Sequence, residues 1–342
     1  MNEEMLNSQE FAGRTYLVTG GAGFIGSHTV GALLERGADV VVLDNFNDYY
    51  DPRIKKANIQ PYLADPQFHL VLGDLLNESL LMQLFTRHAE GLRRGGIVHL
   101  AARAGVRPSL EQPEAYLETN VKGTMTLAEL ARRHEISKFV FASSSSVYGD
   151  SPDRVPFSED QPVNRPISPY AATKVMGENL LHTYSHLYGL QVVALRFFTV
   201  YGAGQRPDLA IHKFTRLIEA GKPIPVFGDG STRRDYTFID DILQGILGAI
   251  RYDKAPFDVF NLGESQTTSL SELIEHIERA LGKQAIIDRK PLQPGDVSIT
   301  YADISKAQQL LGYRPTTKIA DGIPRFVAWF REMQASLLQP AG

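Results

Sequence analysis

Cysteine is absent from all 342 residues, which removes disulfides, thiolate metal sites and cysteine nucleophiles together and leaves the redox compartment unreadable. No run of 18 apolar residues occurs, so no membrane-spanning helix is expected. The opening from Met1 to Phe11 is polar and acidic, without the basic and apolar regions of a secretory signal, and a cytoplasmic protein is the expectation. Charge of one sign is also lacking. The 35 Lys plus Arg stand against 39 Asp plus Glu, and a net charge of -4 offers no global attraction to nucleic acid or to an anionic membrane. An anionic ligand must therefore be held by local Arg or Lys. Neither repeats nor low-complexity tracts are found, and 43% hydrophobic with 22% charged residues is the balance of an ordinary folded chain.

What is present alternates. Short β-branched runs at Arg14 to Thr19, Asp39 to Leu43, Phe68 to Leu72, Gly96 to Leu100, Lys138 to Ala142 and Val192 to Arg196 read as strands. Between them Ile25 to Arg36, Ser79 to Arg87, Glu114 to Arg133 and Tyr170 to Tyr188 read as helices long enough for right-handed crossovers. This pattern predicts an α/β chain with a doubly wound parallel sheet. After Phe197 the regularity breaks at Pro207, Pro223, Pro225, Gly228, Gly230, Pro256, Pro291 and Pro294, as expected of a smaller, irregular lobe. The segment Phe238 to Asn261 again reads as helix then strand and is expected to rejoin the main sheet.

Thr19-Gly20-Gly21-Ala22-Gly23-Phe24-Ile25-Gly26 follows the first strand and opens the first helix. Gly20 permits the tight turn, Gly23 lets backbone approach a pyrophosphate, and Gly26 lets helix and strand pack closely, while Phe24 and Ile25 stand where a helix N-terminus presents N–H donors. Asp44 ends the second strand, where a carboxylate accepts from an adenosine ribose and repels a 2'-phosphate, favouring NAD over NADP. The plainer reading of Asp44-Asn45 is a turn cap. Asp74, with Leu75, follows the third strand and either reaches the adenine amino group or caps the next helix.

Tyr170 and Lys174 stand four apart, so both project from one helix face and an ammonium can favour the phenolate. A Tyr so tuned can take a proton from a sugar hydroxyl. Ser143 to Ser146 follow the fifth strand and place hydroxyls at the carboxyl end of the sheet, where α/β proteins bind ligands. His182 and His186, also four apart, lack the Glu and the acidic cluster of a metal site, and a half-buried structural pair is expected with no metal. His99 reads as a core histidine.

With the glycine run, Asp74, His99-Leu100-Ala101-Ala102, Asn120 and Ser144/Tyr170/Lys174 in this order, the chain resembles the nucleotide-sugar epimerases of the extended short-chain dehydrogenase/reductase family. The resemblance covers roughly Arg14 to Pro315. It narrows to the UDP-glucuronate 4-epimerases at Asp44 to Asp51, Ala104-Gly105-Val106-Arg107, Arg196 to Gly202, Arg206-Pro207-Asp208 and Gln293-Pro294-Gly295-Asp296-Val297. Related decarboxylases place Glu at the position of Ser146, and 4,6-dehydratases place Asp-Glu at Ser145 and Ser146.

The resemblance implies a Rossmann NAD-binding domain over 12–198, joined by 236–262, and a smaller, discontinuous α/β substrate-binding domain over 199–235 and 263–338. It implies NAD contacts at Gly20, Gly23, Phe24, Ile25, Gly26, Asp44, Asn45, Asp74, Leu75, Leu100, Ala101, Ala102, Asn120, Tyr170 and Lys174. In the implied reaction, UDP-glucuronate becomes UDP-galacturonate through a 4-keto sugar, with Tyr170 as base, Lys174 holding the nicotinamide ribose, and Ser144 bonded to the C4 oxygen.

Arg234 would hold the UDP phosphates, or else pair with Asp235 or Asp229. Thr199 and Asp296 fall at substrate-contact positions, and Gln293 departs from the Arg of UDP-galactose epimerases. Arg206, helped by Ser145 and Ser146, would clamp the uronate carboxylate, because a 4-keto-uronate is a β-keto acid prone to lose carbon dioxide. Arg107 is either a second clamp or a salt-bridge partner of Glu111. The alternatives are a 4-epimerase of a neutral or N-acetylated UDP-hexose, a UDP-glucuronate decarboxylase, or a non-catalytic nucleotide-binding protein. A homodimer, paired through Glu114 to Arg133 and Tyr170 to Tyr188, is implied by resemblance; no nucleic-acid or membrane partner is expected.

Overall fold

The computed structural model describes residues 9–150, 153, 155–291 and 297–337. Its strands are β1 (Thr15–Thr19), β2 (Asp39–Asp44), β3 (Phe68–Leu72), β4 (Gly96–His99), β5 (Lys138–Ser144), β6 (Gln191–Phe197), β7 (Thr199–Tyr201), β8 (Ile224–Phe227), β9 (Arg233–Phe238), β10 (Phe257–Leu262), β11 (Thr267–Ser269) and β12 (Ile287–Lys290). Seven form one sheet in the order β10-β6-β5-β4-β1-β2-β3, every pair parallel. The segment after Phe238 does rejoin this sheet, with β10 beside β6. A three-stranded sheet of β11, β9 and β7 and a β12–β8 pair make up the rest.

The inner strands of the main sheet are buried on both sides, which is why they read as unbroken apolar runs rather than alternating ones. Successive side chains point to opposite faces. Val18, Val40, Val42, Val98 and Val140 pack on one side with helices Phe24–Leu34 and Ile239–Arg251. On the other side, Leu17, Val41, Ile97, Phe139 and Phe141 pack with Glu78–Arg94 and Gly123–Arg133. Strand order reverses between β1 and β4, and the crevice at such a switch point is where open α/β sheets take ligands.

The single helix expected over Glu114 to Arg133 is instead three pieces: Pro113–Tyr116, a π-helical stretch Leu117–Lys122, and Gly123–Arg133. Inside the π stretch the Asn120 carbonyl accepts the Thr124 hydroxyl at 2.6 Å, and the side chain of Asn120 reaches out to two other segments. His182 and His186 are exposed rather than half-buried, and the His182 ring rests edge-on against Phe257 at 5.0 Å. Among the described residues no helix is long and apolar enough to cross a membrane.

Candidate active site

A cavity of about 480 Å³ opens at the carboxyl ends of β1, β2, β4 and β5. Its floor is the glycine turn. Gly20 has φ +70°, and a Cβ there would stand 2.9 Å from the backbone of Ala101. At Gly26 a Cβ would fall 2.1 Å from the Gly20 carbonyl oxygen, so both positions admit only glycine. The Phe24–Leu34 helix starts at Gly23 with no side chain capping it, leaving its first N–H groups directed at the cavity's glycine-lined end.

Asp44, buried at the end of β2, accepts the Ala22 N–H at 3.1 Å and the Phe46 N–H at 2.9 Å, tying the glycine turn to the loop that follows. Asn45 donates to Asp74 at 2.7 Å, and Asp74 also accepts the Leu76 N–H at 2.9 Å. The cap of the next helix is Asn77, which accepts the Leu80 N–H, so capping is not the work of Asp74. Leu75, Leu100, Ala101 and Ala102 complete this part of the wall.

Asn120 stands apart from the other expected cofactor contacts. It is buried and does not wall the cavity: its amide oxygen accepts the Arg103 N–H at 2.8 Å, while its nitrogen donates to the Arg103 carbonyl and the Thr173 hydroxyl at 2.9 and 3.0 Å. These three hydrogen bonds join the loop after β4 to the helix carrying Tyr170 and Lys174, so Asn120 braces two walls of the site against each other. His99 is a core residue, bonded to Thr19 and Thr124 through its two ring nitrogens and pushed down to about 3 by burial and the Lys174 charge.

The opposite end of the cavity holds the serines, Tyr170 and Lys174. Helix Pro169–Tyr188 is capped by Ser168, whose hydroxyl oxygen accepts the Ala171 N–H, and Pro169 suits the first turn. Tyr170 and Lys174 thus leave its first turns on the cavity side. Ser144 Oγ accepts the Ser146 N–H at 3.2 Å and lies 3.0 Å from Ser146 Oγ. Burial raises the Tyr170 pKa, while the Ser144 hydrogen bond and the Arg206 charge oppose it. Burial pushes Lys174 down to about 8, with Glu178 pulling the other way.

Behind them, Glu178 forms a two-point pair with Arg196, Nε to Oε1 at 3.0 Å and Nη2 to Oε2 at 2.8 Å, and accepts the Ser143 hydroxyl at 2.5 Å. Arg196 also donates to the Tyr148 hydroxyl at 2.9 Å. This buried network pins the serine segment to the helix of Tyr170. A carboxylate four residues beyond Lys174 on a buried helical face was its sequence signal.

Ser145, Ser146, Thr199 and Arg206 wall the cavity. Arg206 sits over the Tyr49 ring at 5.4 Å and forms a two-point pair with Asp208, at 3.0 and 2.9 Å. Arg107 and Arg234 are not among the described residues lining the cavity; Arg107 is exposed, with its guanidinium 4.6 Å from the centre of the Phe227 ring. Arg234 donates to the Arg233 carbonyl at 2.8 Å. Asp235 accepts the Glu264, Ser265 and Ala302 N–H groups and the Thr237 hydroxyl. Asp296 and Gln293 lie outside the described residues.

Lys55, Asn47, Tyr49 and Tyr50 also wall the cavity. Lys55 is buried and donates to the Asn47 carbonyl and side-chain oxygens at 2.9 and 3.0 Å. No motif marked Lys55, because only the short helix Pro52–Ile59 turns it inward.

The family model described as GDP-mannose 4,6 dehydratase matches residues 17–326. A UDP-glucuronate 4-epimerase of Thermodesulfobacterium geofontis is 42% identical over 319 residues, covering 93% of this chain and 96% of that one. The crystal structure of UDP-glucuronic acid 4-epimerase from Bacillus cereus, in complex with UDP-glucuronic acid and NAD, is similar at 36% identity and TM-score 0.87 and covers 93% and 99% of the two chains. The same enzyme with a tyrosine-to-phenylalanine substitution, in complex with a 4-deoxy-4-fluoro analogue and NAD, is similar at TM-score 0.86, with 36% identity and the same coverage.

Proposed function

The chain belongs to the GDP-mannose 4,6 dehydratase family, and we propose that it is an NAD-dependent isomerase converting UDP-glucuronate to UDP-galacturonate. The observation that carries this is one cavity holding an uncapped helix N-terminus at one end and Ser144, Tyr170, Lys174 and Arg206 at the other. The residues fit a dinucleotide. Gly20, Gly23 and Gly26 leave room for a pyrophosphate, Phe24 and Ile25 stand at the helix start, Asp44 can accept ribose hydroxyls, and Asn45, Asp74, Leu75, Leu100, Ala101 and Ala102 line the remaining wall. NAD, when bound, supplies a reversible hydride acceptor for C4 of the sugar.

Tyr170 takes the proton of the 4-hydroxyl, with its phenolate favoured by the Ser144 hydrogen bond and the Arg206 charge against the cost of burial. Ser144 holds the C4 oxygen in line with that phenol. Lys174 holds the nicotinamide ribose and keeps positive charge beneath the phenol, its Nζ 5.9 Å from the Tyr170 ring centre. Tyr170 then returns the proton after the ketone has presented its other face. Serines at 145 and 146, where the dehydratases carry acids, leave no second acid to eliminate water and no anion to repel a uronate.

Arg206, with Ser145, Ser146 and Thr199, holds the carboxylate. The lobe of 199–235 and 263–338 receives the UDP moiety, with Arg234 and Asp296 at its contact positions and Arg107 at its edge. Leu117, Met125, Met176, Leu187 and Tyr188 are exposed along Glu114 to Arg133 and Tyr170 to Tyr188, which supports a homodimer paired through these helices. A cytoplasmic location accords with this substrate class.

The test is incubation of the purified protein with UDP-glucuronate and no added reductant, then separation and mass analysis of the sugar nucleotides. An isobaric product with the mobility of UDP-galacturonate is expected. Turnover of UDP-glucose or UDP-N-acetylglucosamine with UDP-glucuronate untouched would remove the uronate assignment.

A further inference from the structure

Arg206 lines the cavity, and Asp208 does not. The carboxylate of Asp208 takes one edge of the guanidinium, Nε to Oδ1 at 3.0 Å and Nη2 to Oδ2 at 2.9 Å. A guanidinium has five N–H groups in a planar fork, so the Nη1 side and the outer proton of Nη2 form a second edge that Asp208 leaves unused. The plane is set further by the Tyr49 ring, 5.4 Å from the guanidinium carbon. Tyr49 is itself held, its hydroxyl donating to the Ala104 carbonyl at 3.1 Å.

Local backbone enforces the pairing. Leu209 N–H donates to the Arg206 carbonyl at 3.3 Å, closing a turn over Arg206-Pro207-Asp208-Leu209 just before helix Ala210–Glu219. Pro207 has its φ fixed by its ring, so the arginine and aspartate stand at a set angle across the turn. A flexible arginine would lose rotamer freedom on gripping an anion; this one has already lost it.

Resting on the uronate reading above, we infer that Asp208 is a positioning residue that holds Arg206 with one donor edge turned to the substrate carboxylate and so protects the keto intermediate from decarboxylation. The hazard is specific. In a 4-keto-uronate the C5–C6 bond breaks when it aligns with the ketone π system; C6 leaves as carbon dioxide, the bonding pair passes to C5 and the C4 oxygen as an enolate, and C5 then takes a proton from solvent. A carboxylate gripped at a fixed angle is kept from that alignment; one held by a swinging arginine samples it. Asp208 also offsets the arginine charge, so the alternative role is a competitor that the substrate must displace. The two roles predict opposite outcomes.

The experiment uses NAD-loaded wild type, Asp208→Asn, Asp208→Ala and Asp208→Glu with UDP-glucuronate, following by mass the ratio of decarboxylated to C6-retaining nucleotide sugars. The side chain of Asp208 is 39% exposed, and the variants should fold and keep their NAD. The expected result is a decarboxylated fraction raised about tenfold in Asn and Ala, a KM raised several-fold, and partial recovery in Glu. An unchanged ratio in Asp208→Ala, or a KM that falls, overturns the positioning role. A wild type that leaves UDP-glucuronate untouched fails at an earlier step, and there it is the uronate reading that falls, with this inference following it.

Discussion

The Lys174 ammonium donates to the Ala142 carbonyl at 2.7 Å, so this charge is secured on the backbone of β5 while lying under the Tyr170 ring. Its pKa in the fold is about 8, against about 10.4 for a lysine in an unfolded chain. Between these values the unfolded chain keeps a proton that the folded chain has released. Stability of the NAD-free protein therefore rises with pH across that window, and the full cost of the buried charge is present below it. Lys174→Met should gain roughly 1–2 kcal/mol at pH 7 after the loss of the Ala142 hydrogen bond, and should flatten the slope. Urea unfolding at pH 7 and 9.5 measures both, and a destabilised variant at pH 7 would contradict the account.

Tyr170→Phe keeps the ring and its edge-on contact with Tyr116 at 6.2 Å but removes the hydroxyl proposed to take the 4-hydroxyl proton. The expected loss in kcat is about 10²–10⁴-fold, with NAD content unchanged. Activity within a few-fold of wild type would move the base elsewhere.

Glu178→Ala leaves the Arg196 guanidinium buried without its carboxylate and frees Ser143. Breaking such a pair costs about 3–5 kcal/mol. Chemical unfolding at neutral pH should show that loss, whereas a change under 1 kcal/mol would mean that the pair is replaced by solvent.

Gly26→Ala sets a methyl group against the Gly20 carbonyl oxygen. Overpacking of about 1–3 kcal/mol is expected, with NAD binding lost before the fold is. Calorimetric titration with NAD reads this directly, and wild-type affinity in the variant would show that the turn yields.

Much of this was legible because the physics is local. Strands covered on both faces must be apolar through their middles, and β1, β2 and β4 are, with their polar residues confined to the strand ends; a glycine turn between strand and helix declares itself by spacing. The break at Leu117–Lys122 was hidden, since its residues suit a regular helix and the reason for the distortion lies in the partners of Asn120. The position of Arg107 over Phe227 depends on β8, which belongs to a lobe with little periodicity of its own. Lys55 was silent for the same reason: its partner Asn47 meets it only after the loop folds back.

The strand that closes the main sheet beside β6 is β10, made from residues that follow the whole β7–β9 excursion. During synthesis the backbone edge of β6 must therefore wait, unpaired, until Phe257–Leu262 has left the ribosome. Until then the nascent chain exposes the open edge of a largely apolar strand, the surface on which chaperones act and along which incomplete chains aggregate.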